Sequence, residues 1–178
     1  EFRRVLFRSD MVGDITGLLD ALCIAAPVHV AASALGAGIA CAFAARVPER
    51  VARLVVSSPA TGSSPQWRAQ LAERADAIER QGMRAHADIS LGRSYPEVLR
   101  ANRERFRKYR QRWIANDPFG FAAINRMHMD TDLTPELKNI RCPTLVMGCV
   151  HDAIRPPALA KGVADAIPGS RFIEVDSG

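Results

Sequence analysis

The sequence has 178 residues, 48% of them hydrophobic and 24% charged, an ordinary globular balance with enough length for one domain and a real core. Its formal net charge of +5 is uneven, because seven cations fall between Arg100 and Arg112 against the single acid Glu104. No run of about 18 apolar residues occurs and no secretory leader pattern opens the chain, which excludes a membrane-spanning helix and predicts a soluble, cytoplasmic protein with no membrane partner.

In chain order, Glu1 to Ser9 (EFRRVLFRS) carry no helical or strand period and read as a leader foreign to the rest of the chain; without them the net charge is +3. From Asp14 to Ile24 a helix is predicted, with an apolar stripe of Ile15, Leu18, Leu19, Leu22 and Cys23 and with Asp14 as its N-cap. After Pro27, VHVAA is a short apolar strand, SALGAGIACAFAAR is a long alanine-rich helix, and RLVVSSPA is a second strand. Such alternation implies parallel strands joined by crossover helices.

Between residues 63 and 139 no strand is predicted, and WRAQLAERADAIERQGM, YPEVLRANRERFRKYRQRWI and NDPFGFAAINRMHM all carry helical spacing. The basic run inside this stretch reads first as a solvated helix face and second as an attractor of a small anionic substrate. Phe106, Tyr109 and Trp113 are interleaved with it, but no nucleic-acid-binding module surrounds them, so no nucleic-acid partner is expected. The strand–helix pattern resumes with CPTLVMG, then PPALAKGVADAIPG with prolines at its start and Gly169 past its end, then RFIEV. Cys23, Cys41, Cys142 and Cys149 lack CxxC spacing and read as small buried hydrophobes; neither a metal site nor a cofactor is expected.

A strand that enters a helix through a sharp turn of small residues has the geometry of a nucleophile elbow, G-x-S-x-G. VHVAASALGAGIACAFAARVPERV resembles that segment of the α/β-hydrolase superfamily, in which an alanine-rich helix follows the elbow and ends in an arginine-x-proline-glutamate-arginine-valine pattern. AARVPERV matches that ending and sets the register, so Ala32 falls on the first elbow glycine, Ala34 on the nucleophile and Gly36 on the second glycine. Ser33 lies one position early, where its side chain should point away from the turn.

The resemblance carries further. PTLVMGCVHDAIRPP is similar to the segment that bears the catalytic acid, which implies that role for Asp152, the alternative being an aspartate that forms a turn and caps the next helix. RFIEVDSG resembles the strand whose following residue in the family is the catalytic histidine. Leu35 would lend its backbone N–H to the oxyanion hole. His151 adjoins Asp152 too closely for the acid to orient it, and His29 reads as a core residue. His128 and Trp113 are candidate pocket residues. Within the superfamily, AIERQGM, NDPFGFAA and DTDLTPELKNIRCPTLVMGCVHDAIRPP resemble 3-oxoadipate enol-lactonases and similar carboxylic-ester hydrolases.

The resemblance implies an α/β fold with a parallel sheet and an inserted all-helical cap at residues 63–139 between core parts at 10–62 and 140–178, with the family's strands N-terminal to VHVAA expected to be missing from this sequence. It implies a small ester or lactone as ligand, and an anionic one would suit the basic cap. In the family a serine attacks the carbonyl, a histidine carries its proton and an acid orients the histidine. With alanine at 34 and no histidine in place after RFIEVDSG, the expectation is a hydrolase-family fragment that does not hydrolyse. The alternatives are a ligand-binding protein or a non-hydrolytic enzyme on the same fold.

Overall fold

The computed structural model describes residues 8–178, so the expected foreign leader at 1–9 lies outside it except where Arg8 and Ser9 open the first helix. That helix, α1 (Arg8–Ala21), starts six residues before the predicted Asp14, which is therefore an interior residue and not a cap. The packed stripe is Val12, Ile15 and Leu19, whereas Leu18 and Leu22 of the predicted stripe remain exposed. Val12 extends the i, i+3, i+7 pattern backward, and tertiary burial selects that line over its neighbour. Cys23 follows the helix in a left-handed conformation and is exposed, unlike Cys41 and Cys149, which are buried.

Four strands, β1 (Val28–Ser33), β2 (Val51–Ser57), β3 (Thr144–Cys149) and β4 (Arg171–Val175), form one sheet in the order β1-β2-β3-β4. All pairs are parallel, with Ser33 opposite Ser57, Ser57 opposite Met147, and Cys149 opposite Val175. Val30, Ala32, Leu54, Val56, Val146 and Phe172 belong to the core shared with α2 (Ala34–Arg46) and α7 (Pro157–Ala166). On the other face, His29 and Ala31 of β1 and Ile173 of β4 are exposed.

α2 is nearly all alanine, glycine and cysteine along its inner side, so it lies close to the sheet and buries Phe43 completely. The short α6 (Thr134–Leu137) is clasped to it by Arg46, whose guanidinium grips Glu136 at 2.6 and 2.8 Å.

Between β2 and β3 run α3 (Pro65–Ser94), α4 (Arg103–Ile114) and α5 (Pro118–Met129). The first of these runs past the predicted helical stretch to Ser94, and Gly82, with φ 78° and ψ 167°, divides α3 into two arms joined at a sharp bend. The stretch read as a single helix over 95–114 is instead a short turn at Glu97–Leu99 followed by α4, which Asn102 caps by accepting the Arg105 N–H at 2.9 Å. These helices have their own core of Ile78, Met83, Ala87, Leu91 and Trp113. Arg126 on α5 ties them by gripping Asp76 and Glu79 of α3, each at 2.7 Å. The segment's two ends meet where Gly62 bridges Asp132 and the Leu133 N–H donates to the Thr61 carbonyl at 2.8 Å. The basic run forms an exposed α4 face, with Lys108 paired to Glu104 and Arg110 to Asp88. No described helix is long and apolar enough to cross a membrane.

Candidate active site

Parallel strands place all their C-terminal ends on one edge of the sheet, where ligands gather in open α/β folds. Ala34, Ser58, Asp152 and the Asp176–Gly178 segment all follow strand ends on that edge. Ser33 is extended (φ −131°, ψ 156°), and Ala34 then turns the chain into α2 with φ 51°, a left-handed conformation unusual for a residue with a Cβ. The turn is braced by the Ala60 N–H, which donates to the Ala34 carbonyl at 3.0 Å. Ser33 is exposed on the same strand face as His29 and Ala31, and its hydroxyl does not cap α2. Leu35 sits in the first turn of α2, among the N–H groups that have no intrahelical acceptor.

Left-handed geometry costs an L-residue roughly 1–2 kcal/mol, part of which glycine recovers. Ala34→Gly should therefore raise stability by about 1 kcal/mol, measured as a higher urea midpoint at unchanged slope.

Ser58 repeats the pattern at the end of β2: its φ is 44°, it is 5% exposed, and its hydroxyl is enclosed with no hydrogen-bond partner. Backbone strain and an unsatisfied polar group together at a strand end are features that proteins concentrate at functional sites. Nothing in the local sequence distinguishes Ser58 from Ser57.

Asp152 lies in the turn after β3, where Oδ1 accepts the N–H groups of Ile154 and Arg155, both at 2.8 Å. Among the described residues Oδ2 takes no hydrogen bond, so the side chain is fastened by one oxygen with the other uncommitted. His151 is engaged elsewhere, its Nε2 lying 2.8 Å from Asp176 Oδ1. The His151 N–H also donates to the Ser177 carbonyl at 2.9 Å, which holds Ser177 and Gly178 beside the acid turn.

His128 is 4% exposed at the C-terminal end of α5, with Nε2 3.5 Å from the Ser63 hydroxyl and Nδ1 enclosed without a partner. Burial, assisted by the positive charge of Arg155, pushes its pKa down to about 4, so the ring is neutral. Trp113 packs edge-on against Phe121 in the core of the helical segment. The Cys41 thiol is pushed up to about 12 by burial, and the nearby Cys142 adds to that. No three His, Cys, Asp or Glu side chains among the described residues come together as metal ligands would.

The sequence pattern of the family described as serine aminopeptidase, S33 (Hydrolase_4) matches residues 6–174. The chain belongs to this α/β-hydrolase family. RutD of Pantoea ananatis, named as a carbamate hydrolase, is 28% identical over 172 residues, which is 95% of this chain and 62% of that protein. The enol-lactonase of Burkholderia xenovorans LB400 superposes with a TM-score of 0.88 at 28% identity, over 97% of this chain and 66% of that one. A thermophilic esterase of Thermogutta terrifontis superposes with a TM-score of 0.87 at 28% identity, over 97% and 64%. The chain thus spans a little under two thirds of the length of these relatives. The α/β-hydrolase resemblance read from the elbow helix and the acid segment holds, including its enol-lactonase and esterase likeness.

Cleft residues lie on α3, and of them only His86 was a pocket candidate in the sequence. Trp67, Leu71, Arg74, His86 and Arg93 line a cavity of about 250 Å³ that reaches Ile154, two residues past Asp152. The glycine bend at 82 was the available signal, since it folds one arm's residues back over the other's.

Proposed function

We propose that this chain binds a small acyl compound of the ester, lactone or carbamate class beside the strand ends and does not hydrolyse it by the serine route. The observation that carries this reading is the left-handed turn at Ala34, which has the backbone form of a nucleophile elbow. There it presents a methyl group, with neither a lone pair to attack a carbonyl nor a proton to give up. The S33 family membership and the names of the relatives supply the ligand class. In this reading residues 63–139 serve as a cap over core parts 10–62 and 140–178, and Asp152 keeps the geometry of a triad acid. Leu35 retains its place as an oxyanion donor that would polarise a bound carbonyl.

The purified chain should turn over p-nitrophenyl butyrate no faster than buffer does, and Ser33→Ala should leave that baseline unchanged. Release of p-nitrophenolate well above the buffer rate overturns the reading. If Ser33→Ala then abolishes the activity, the nucleophile is the hydroxyl one residue before the turn.

A further inference from the structure

We propose that the cavity between the two arms of α3 is a carboxylate-binding site, with Arg74 and Arg93 holding the charged end of a ligand whose apolar body points toward the turn after Asp152. The inference rests on the small-ligand reading above and adds the chemical class of ligand and the residues that select it.

The bend at Gly82 brings Arg74 on the first arm and Arg93 on the second to one cavity, together with His86. Arg46, Arg50, Arg110 and Arg126 are each paired with a carboxylate at 3.1 Å or less. Arg74 and Arg93 form no such pair among the described residues, although Glu73 also lines the cavity. The Arg74 Nε–H is enclosed without an acceptor, and so is His86 Nε2 without a partner. Enclosed polar groups left in this state are costly, and an entering oxyanion can offset that cost. Burial and the neighbouring charge of Arg93 both push the Arg74 pKa downward, as expected of two cations facing one space with no anion between them. The Arg74 guanidinium also lies 5.1 Å above the Phe121 ring centre, a stacking that holds the fork in place before a ligand arrives.

The remaining walls choose an organic carboxylate over a bare inorganic anion. Trp67, Leu71, Ile89 and Ile154 are apolar, and a second cavity of about 370 Å³ shares Trp67, Arg93 and Ile154 with the first. A ligand with one carboxylate and a short hydrocarbon body would set its charge against the arginine pair and its body against Trp67 and Ile154, near the Asp152 turn.

Hexanoate, hexanamide and methyl hexanoate, titrated against the full chain with tryptophan fluorescence as readout, form the test. Trp67 lines the cavity while Trp113 is buried in the helical core, so a quench reports on this site. Hexanoate should bind at least about tenfold more tightly than hexanamide, the scale of a charge-assisted hydrogen bond. Arg93→Met, at an exposed position, and Arg74→Met should each erase that preference. Acid and amide binding equally, or a preference that survives Arg93→Met, overturns the carboxylate assignment. Inorganic phosphate competing as well as hexanoate overturns it also, in favour of a general anion site. Methyl hexanoate separates the two readings: if it binds and hexanoate is no better, only the carboxylate assignment fails, whereas if none of the three binds, the small-ligand reading fails with it.

Discussion

Gly38→Ala should cost about 3 kcal/mol of stability, while Gly36→Ala, two residues earlier in the same helix, should gain about 0.5–1 kcal/mol. A Cβ at 38 would overlap the carbonyl oxygen of Ala60 and crowd its carbonyl carbon at 3.1 Å, and backbone cannot rotate out of the way as a side chain can. Either α2 lifts from the loop after β2 or Ala60 moves. Moving Ala60 breaks the hydrogen bond that its N–H donates to the Ala34 carbonyl, so the cost includes the brace of the left-handed turn. A Cβ at 36 meets nothing within 4 Å, and there alanine simply replaces glycine in a helix. Urea denaturation of the two variants beside the parent measures both values, and equal effects at 36 and 38 would show that helix propensity, and not the contact with Ala60, governs the position.

Acidification should remove about 3 kcal/mol of stability through His128 alone. In the unfolded chain the imidazole takes up its proton near its ordinary pKa of 6.5, whereas in the folded chain it does so only near 4. At pH above 6.5 both states hold a neutral ring and the group contributes nothing. Between 6.5 and 4 the unfolded state binds the extra proton, so stability falls as pH falls, and below 4 this group adds no further change. The cause is visible in the surroundings: the ring is enclosed, Nδ1 has no acceptor, and Arg155 supplies a like charge. Urea midpoints followed from pH 7.5 to 4 should drop more steeply for the parent than for His128→Gln, which keeps an amide in the site but no titration. Parallel curves would show that His128 is protonated in the folded protein.

Both effects arise in one region, the seam where the β1–α2 turn, the loop after β2, the end of α5 and the turn after β3 approach one another. There the Ala60 N–H braces Ala34, the Ser63 hydroxyl lies beside His128, and the charge of Arg155 acts on that ring. Strain at Ala34 and Ser58 and unsatisfied atoms on Ser58 and His128 are concentrated at this seam, whereas the helix-packed face of the sheet is filled by Leu54, Val56 and Val146. Stability is given up at the strand ends and recovered beneath them, the usual arrangement of a site on an α/β scaffold.

Reading the sequence alone determined the order of strands and helices, the parallel sheet, and the register of the turn at Ala34, because these depend on local period, turn residues and the fixed distance from AARVPERV to the strand end. The turn at Asp152 was legible too, because an aspartate that follows a strand and precedes a proline-led helix accepts the next N–H groups, as it does here from Ile154 and Arg155. Tertiary structure alone decided which stripe of α1 is buried, since Leu18 and Leu19 are equivalent until α2 arrives. It also placed Trp113 inside a helical core, gave His151 to Asp176, and enclosed His128. The convergence of Arg74, His86 and Arg93 lay furthest from the sequence. Their spacing is meaningless along a straight helix and becomes a site only where Gly82 turns the chain back, because charge and burial depend on what comes near in space.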